Sequence, residues 1–248
     1  MAKKAAVIIG LVLLGGYLVF AAFYFDDKPK EQLCNHFEIV SADDEDAKLI
    51  TTGEIEKLVD ARGLNPYGKP LKEINTYEIE KTIEANEMLK SAEVFVTGNG
   101  GIRAVVKSRK PVLRVIAANG ANYYIDADGE KAPLSKHFVA DLPLATGAVN
   151  EDFAKTGLLE FALFLRQDEF WNSQIEQIVV LPNNELKLIP AVGEHVILLG
   201  KLDNYSEKLD KLKTFYAKGL SETGWDKYSV INLKYDRQNE KLVVGTKR

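Results

Sequence analysis

The chain has 248 residues, 46% hydrophobic and 27% charged, enough apolar material for one or two folded domains and too much for a disordered or fibrous polypeptide. Its 36 acidic and 32 basic residues leave a net charge of -4, with lysines dispersed among acids, so the electrostatic footprint of a nucleic-acid-binding protein is absent. One cysteine, Cys34, excludes an intramolecular disulfide and a thiolate pair for metal or redox chemistry.

From Ala5 to Phe25 the chain carries no charge. About 21 helical residues at 1.5 Å rise span about 30 Å, the thickness of a bilayer's hydrocarbon core. A transmembrane helix over 5–25 is expected, since only a helix satisfies its own backbone hydrogen bonds in lipid. Lys3 and Lys4 precede it and Asp26 and Asp27 follow, which places the tail 1–4 in the cytoplasm and the bulk of the chain outside it. A cleaved secretory signal fits less well, because the run is long and Phe20 spoils the small-x-small pattern before Ala22. Residues 26–33, with Pro29, read as a linker. Cys34 lacks the small preceding residues of a lipid attachment site.

Residues 34–110 read as strand, helix, helix, strand, strand. Phe37 and Ile39 alternate as a strand, and the acids Asp43 to Asp46 read as a solvated loop. Thr52 caps a helix that turns Ile55, Leu58 and Val59 inward. Asn75 with Glu78 forms a capping box for a second helix carrying Ile79, Ile83 and Met88 or Leu89. Val94 to Thr97 and Ile102 to Lys107 then make a hairpin around Gly98 to Gly101. That order cannot build a doubly wound sheet and suits two helices on a three-stranded sheet, the architecture of a POTRA domain.

Residues 111–248 read as a mixed β domain with helices on one face. Strands are expected at Val112 to Ala117 and Tyr123 to Ile125, with a tight turn at Asp126 to Gly129 that lacks the later ligands of a calcium loop. A buried helix runs from Asn150 or Asp152 to Gln167, followed by a hairpin of Ile175 to Leu181 and Glu185 to Ile189. His195 to Leu199 is a strand and Asn204 to Lys218 an amphipathic helix. Ile231, Leu233 and Tyr235 alternate in a penultimate strand, and Asp236 to Glu240 turns the chain into Lys241 to Thr246. The fold class is therefore α+β: one N-terminal transmembrane helix, a β-α-α-β-β POTRA domain, and a mixed β domain.

No catalytic, metal or cofactor site is expected. His36, His137 and His195 stand far apart, and the chain has no H-E-x-x-H, G-x-S-x-G, S-x-x-K, P-loop or dinucleotide motif. Sheets held outside a membrane instead offer edges that accept a partner's strand, and Val243 and Val244 are sticky residues for a closing strand.

Arg109, Lys110, Pro111 and Val112, then Tyr124 to Gly129 (YIDADG), then Leu142, Pro143, Leu144, Thr146 and Gly147, and finally Tyr228 to Asp236 (YSVINLKYD), follow in an order that resembles the bacterial cell-division family FtsQ (DivIB). The resemblance implies a non-enzymatic divisome scaffold without cofactors, anchored in the cytoplasmic membrane at the division septum, that recruits and regulates septal peptidoglycan synthesis. It implies partners of the FtsB and FtsL type at the last strands, through Tyr235, Asp236, Lys241, Leu242, Val243, Val244, Gly245 and Thr246. It also implies contacts of the FtsW, FtsI and FtsK type through the POTRA domain. The alternatives are another POTRA-bearing envelope binding protein, serving outer-membrane assembly or secretion, and an anchored periplasmic hydrolase.

Overall fold

The computed structural model describes residues 10–21, 32–43, 49–137, 142–220, 224–234 and 243–246. Residues 10–21 form a helix, α1, whose leucines and Phe20 are exposed. Among the described residues no helix is long and apolar enough to cross a membrane; the rest of the expected span, 5–9 and 22–25, lies outside them. The chain divides into two compact units, Met1–Ser108 and Arg109–Arg248.

In the first unit, β1 (Phe37–Ser41) runs parallel to β3 (Ile102–Ser108), and β2 (Leu89–Val96) pairs antiparallel on β3's other side, giving the order β1-β3-β2. Helix α2 (Thr52–Ala61) starts one residue earlier than expected. Its N-cap is Thr51, whose hydroxyl accepts the Glu54 N–H while the Glu54 carboxylate accepts the Thr51 N–H, a complete capping box. At α3 (Thr76–Glu84) the Asn75 side chain accepts the Glu78 N–H. The inward residues Ile55, Val59, Ile79 and Ile83 close with Leu89, Val94, Ile102, Ala104 and Cys34 into one core. Each valine, leucine or isoleucine among them, removed from water, contributes roughly 1.5 to 3 kcal/mol.

Leu89 belongs to β2, not to the preceding helix, which ends at Glu84. The strand therefore begins five residues before Val94. A register shift between Leu89 and Ser91 breaks the alternation there and hides the strand from a period-two reading.

The second unit is one mixed sheet of nine strands in the order β12-β11-β10-β9-β8-β7-β4-β5-β6. Strands β4 (Pro111–Ala117), β5 (Asn122–Asp126) and β6 (Lys131–Ala132) form a meander at one end. β7 (Leu144–Gly147) inserts between β4 and β8 (Ile175–Val180), parallel to both. β9 (Leu186–Pro190) follows β8 by a hairpin, and β10 (Val196–Gly200) pairs antiparallel to β9.

A helical run covers the centre of this sheet: α4 (Glu151–Phe153), a π turn (Ala154–Leu158) and α5 (Leu159–Gln167). Asn150 caps it, accepting the Phe153 N–H at 2.8 Å. Phe161, Leu158 and Leu165 are fully buried against Leu113, Val115, Ile178 and Leu188. A short helix not anticipated from the sequence, α6 (Glu169–Gln174), follows at once, capped by Asp168 and carrying the buried Trp171. Lys213 of α7 (Tyr205–Phe215) bonds Asp168 at 2.8 Å, and its ammonium holds that carboxyl below the usual range.

Candidate partner-binding edge

The last two strands close the sheet. β11 (Tyr228–Asn232) lies parallel to β10, with Ile197 opposite Ile231, and the Leu233 N–H donates to Leu198 O at 2.9 Å. β12 (Val243–Thr246) pairs antiparallel on the outer side of β11, with Asn232 opposite Val243, Ile231 opposite Val244, Val230 opposite Gly245 and Tyr228 opposite Thr246. A register shift falls between Tyr228 and Val230. The intervening Ser229 hydroxyl donates to Gly245 O at 3.4 Å.

These bonds determine which backbone groups β12 leaves open. Leu233 and Ile231 bond toward β10, so Val230 and Asn232 face β12. Gly245 and Val243, opposite them, bond back into the sheet. The N–H and C=O of Val244 and Thr246 therefore point away from it, and among the described residues β12 is terminal in the strand order. At the other end, β6 is two residues long, and Lys131 there is tied to Glu151 at 2.9 Å and sits over the Tyr123 ring. A short, charged edge is a poor template for another strand, so β12 is the better of the two.

A buried aromatic cluster supports this end of the sheet. His195 Nε2 and the Tyr216 hydroxyl lie 2.6 Å apart, and both rings pack against Trp225, which sits in the turn entering β11. Burial pushes the His195 pKa down and that of Tyr216 up, so both groups are neutral near pH 7. Trp171 and Phe170 continue the cluster, and Phe215 packs on Tyr228 at 5.4 Å. Beyond β11, Lys234 pairs with Glu185 at the start of the β9 arm, and its ammonium lowers the Glu185 pKa. The sequence reading missed this cluster; the aromatic residues Tyr216, Trp225 and Tyr228, close together before the closing strands, were the available signal.

Of the residues expected to bind a partner, Val243, Val244, Gly245 and Thr246 are brought together on β12, while Tyr235, Asp236, Lys241 and Leu242 lie outside the described residues. Asp126 of the D-x-D-G turn uses both oxygens internally. Oδ2 takes Arg109 Nη1 at 2.8 Å, and Oδ1 takes the Asp128 and Glu130 N–H groups at 2.9 and 2.8 Å. Among the described residues no three His, Cys, Asp or Glu side chains are placed to hold a metal ion.

A two-helix, three-stranded unit followed by a mixed nine-stranded sheet defines a two-unit α+β protein, and the first unit matches the POTRA-like domain over residues 32–107. The second unit matches the family model described as FtsQ/DivIB, C-terminal related, over residues 110–246, more than half of the chain. The chain belongs to that family, which is associated with the division septum and membrane; FtsQ/DivIB proteins and POTRA domains are both non-enzymatic kinds of scaffold. No curated protein matches the chain significantly.

Proposed function

We propose that this chain is a membrane-anchored divisome scaffold that recruits and regulates septal peptidoglycan synthesis by capturing partners of the FtsB and FtsL type at its C-terminal edge. The observation that carries this reading is the open strand β12 at the end of the sheet in a FtsQ/DivIB-related unit. An added strand gains main-chain hydrogen bonds from Val244 and Thr246, and alternate side chains supply specificity. The uncharged run 5–25 supports the anchor, and its described part, 10–21, is helical with exposed apolar side chains. Partners of the FtsW, FtsI and FtsK type would dock on the POTRA-like unit.

The register supplies a selective test. Proline at position 244 deletes an outward donor and leaves the bonds of Val243 and Gly245 to β11 in place, as edge strands tolerate. Val244→Pro in the full chain should reduce capture of the FtsB-type partner roughly two- to tenfold in a co-purification from membranes, while the chain still inserts and folds. Tyr235→Glu should reduce it likewise. Undiminished capture by a folded Val244→Pro chain would exclude strand addition at β12.

A further inference from the structure

The chain enters the first unit through residues 32–35, and the bonds made there determine which end of the unit is tied to the uncharged run. The Cys34 N–H donates to Lys69 O at 2.9 Å, the Gly68 N–H to Cys34 O at 2.8 Å and the Leu71 N–H to Gln32 O at 2.9 Å, with Leu33 opposite Pro70. On the other flank Asn35 Nδ2 donates to Asn99 O at 2.8 Å, in the turn where β2 ends and β3 begins. Only residues 26–31 separate Phe25 from Gln32. Seven Cα steps reach at most about 25 Å, so Gln32 stands within about that distance of the end of the run, and the loop 62–72 is bonded to it.

That loop differs from the rest of the unit in charge. Between Asp60 and Glu73 the chain carries Arg62, Lys69 and Lys72 and no acid, whereas residues 34–60 and 73–108 together hold 14 acids and 6 bases. The three cations are exposed, and Tyr67 and Leu33 beside them are 68% and 55% exposed. Internal bonds shape the loop. Asn65 Oδ1 accepts the Tyr67 N–H at 3.0 Å, Asn65 Nδ2 donates to Asp60 Oδ1 at 2.6 Å and so engages the nearest acid, and Lys69 Nζ donates to Gly63 O at 2.9 Å.

We propose that the loop 62–72, with Leu33, is a membrane-contact surface: Tyr67 and Leu33 enter the interfacial layer of the bilayer that holds the anchor, and Arg62, Lys69 and Lys72 meet anionic phospholipid headgroups. The occupant is lipid because the surface joins cations to an aromatic and an aliphatic side chain, the combination an interfacial layer takes. The short tether also brings that bilayer within reach of the loop in every copy of the chain. Contact through this end sets the acidic remainder of the unit away from the anionic surface. The inference rests on the anchor proposed above and is independent of β12.

The test puts one fluorescent label on the full chain, reconstituted in vesicles whose lipid headgroups carry a nitroxide quencher. The label goes at Gly98→Cys, an open position in the turn beside the entry segment, or at Glu87→Cys, in the α3 to β2 turn at the opposite end; Cys34 is buried. In phosphatidylcholine with phosphatidylglycerol, the ratio of quenched to unquenched label, resolved by fluorescence lifetime, should be at least about tenfold higher at position 98 than at position 87. One basic residue near an anionic surface is worth about fivefold, so Arg62→Gln with Lys72→Gln should lower that ratio roughly twentyfold. Phosphatidylcholine alone should lower it likewise. Lys69 is kept for its bond to Gly63 O. Equal quenching at the two positions, or a ratio that neither the paired substitution nor the lipid moves, overturns the contact surface in a chain that is still anchored. A chain that carbonate strips from the vesicles overturns the anchor, and this proposal with it. Should the paired variant fail to reconstitute, the comparison of the two lipid compositions decides.

Discussion

Asp126 is 2% exposed and faces Arg109, two residues that also mark the resemblance read from the chain. Sequence could show a D-x-D-G turn, but the partner of its first carboxylate is 17 residues upstream and emerges only when β4 and β5 pair. Removing one member of a buried ion pair leaves the other uncompensated, typically at 3 to 5 kcal/mol. Asp126→Asn should therefore destabilise the second unit by about 3 kcal/mol, with the shift read in urea by tryptophan fluorescence. Both tryptophans, Trp171 and Trp225, lie in that unit, so the signal reports it alone. A change below about 0.5 kcal/mol would show that the pair is not important for stability.

At the scale of elements, local signals located most helices and hairpins, and the misses are of two kinds, local and long-range. The Thr51 box, α6 and the π turn are local features that a one-residue shift or an uninterrupted apolar run obscured. β7 is different. Its four residues have no periodicity to detect, and it becomes a strand because β4 and β8 flank it. Gly147 at its end has φ of +88°, and a Cβ there would come within 2.4 Å of Val180 O. Gly147→Ala combines a left-handed backbone with a clash against main chain, and should cost at least about 2 kcal/mol in the same denaturation measurement. Wild-type stability in that variant would mean the β7 to β8 register is wrong.

For the whole second unit, the neutral His195 makes stability depend on pH. Burial holds its pKa below the ordinary 6.5, so as pH falls through about 6.5 the unfolded chain takes up a proton that the folded chain refuses. Stability is complete above that pH and declines below it until the folded histidine also titrates. The urea midpoint should fall between about pH 7 and about pH 5.5, and His195→Gln should flatten that slope. An equal slope in the variant would assign the dependence elsewhere, since His36 and His137 are present in both chains.

The sequence by itself determined the composition classes, the uncharged run 5–25, the β-α-α-β-β order of the first unit and most of the second unit's elements, because periodicity and caps act within a few residues. Only the tertiary structure decided which edges are open. Whether a strand is interior or terminal depends on partners distant in sequence: β12 is terminal among the described strands because β11 pairs with β10 on its other side, and on β2 the outward Val94 N–H is taken by Glu80 of α3. Hydrogen bonds between distant segments leave no local pattern in the chain that makes them, so the closing strand could be named from the sequence but its outward groups, Val244 and Thr246, could not.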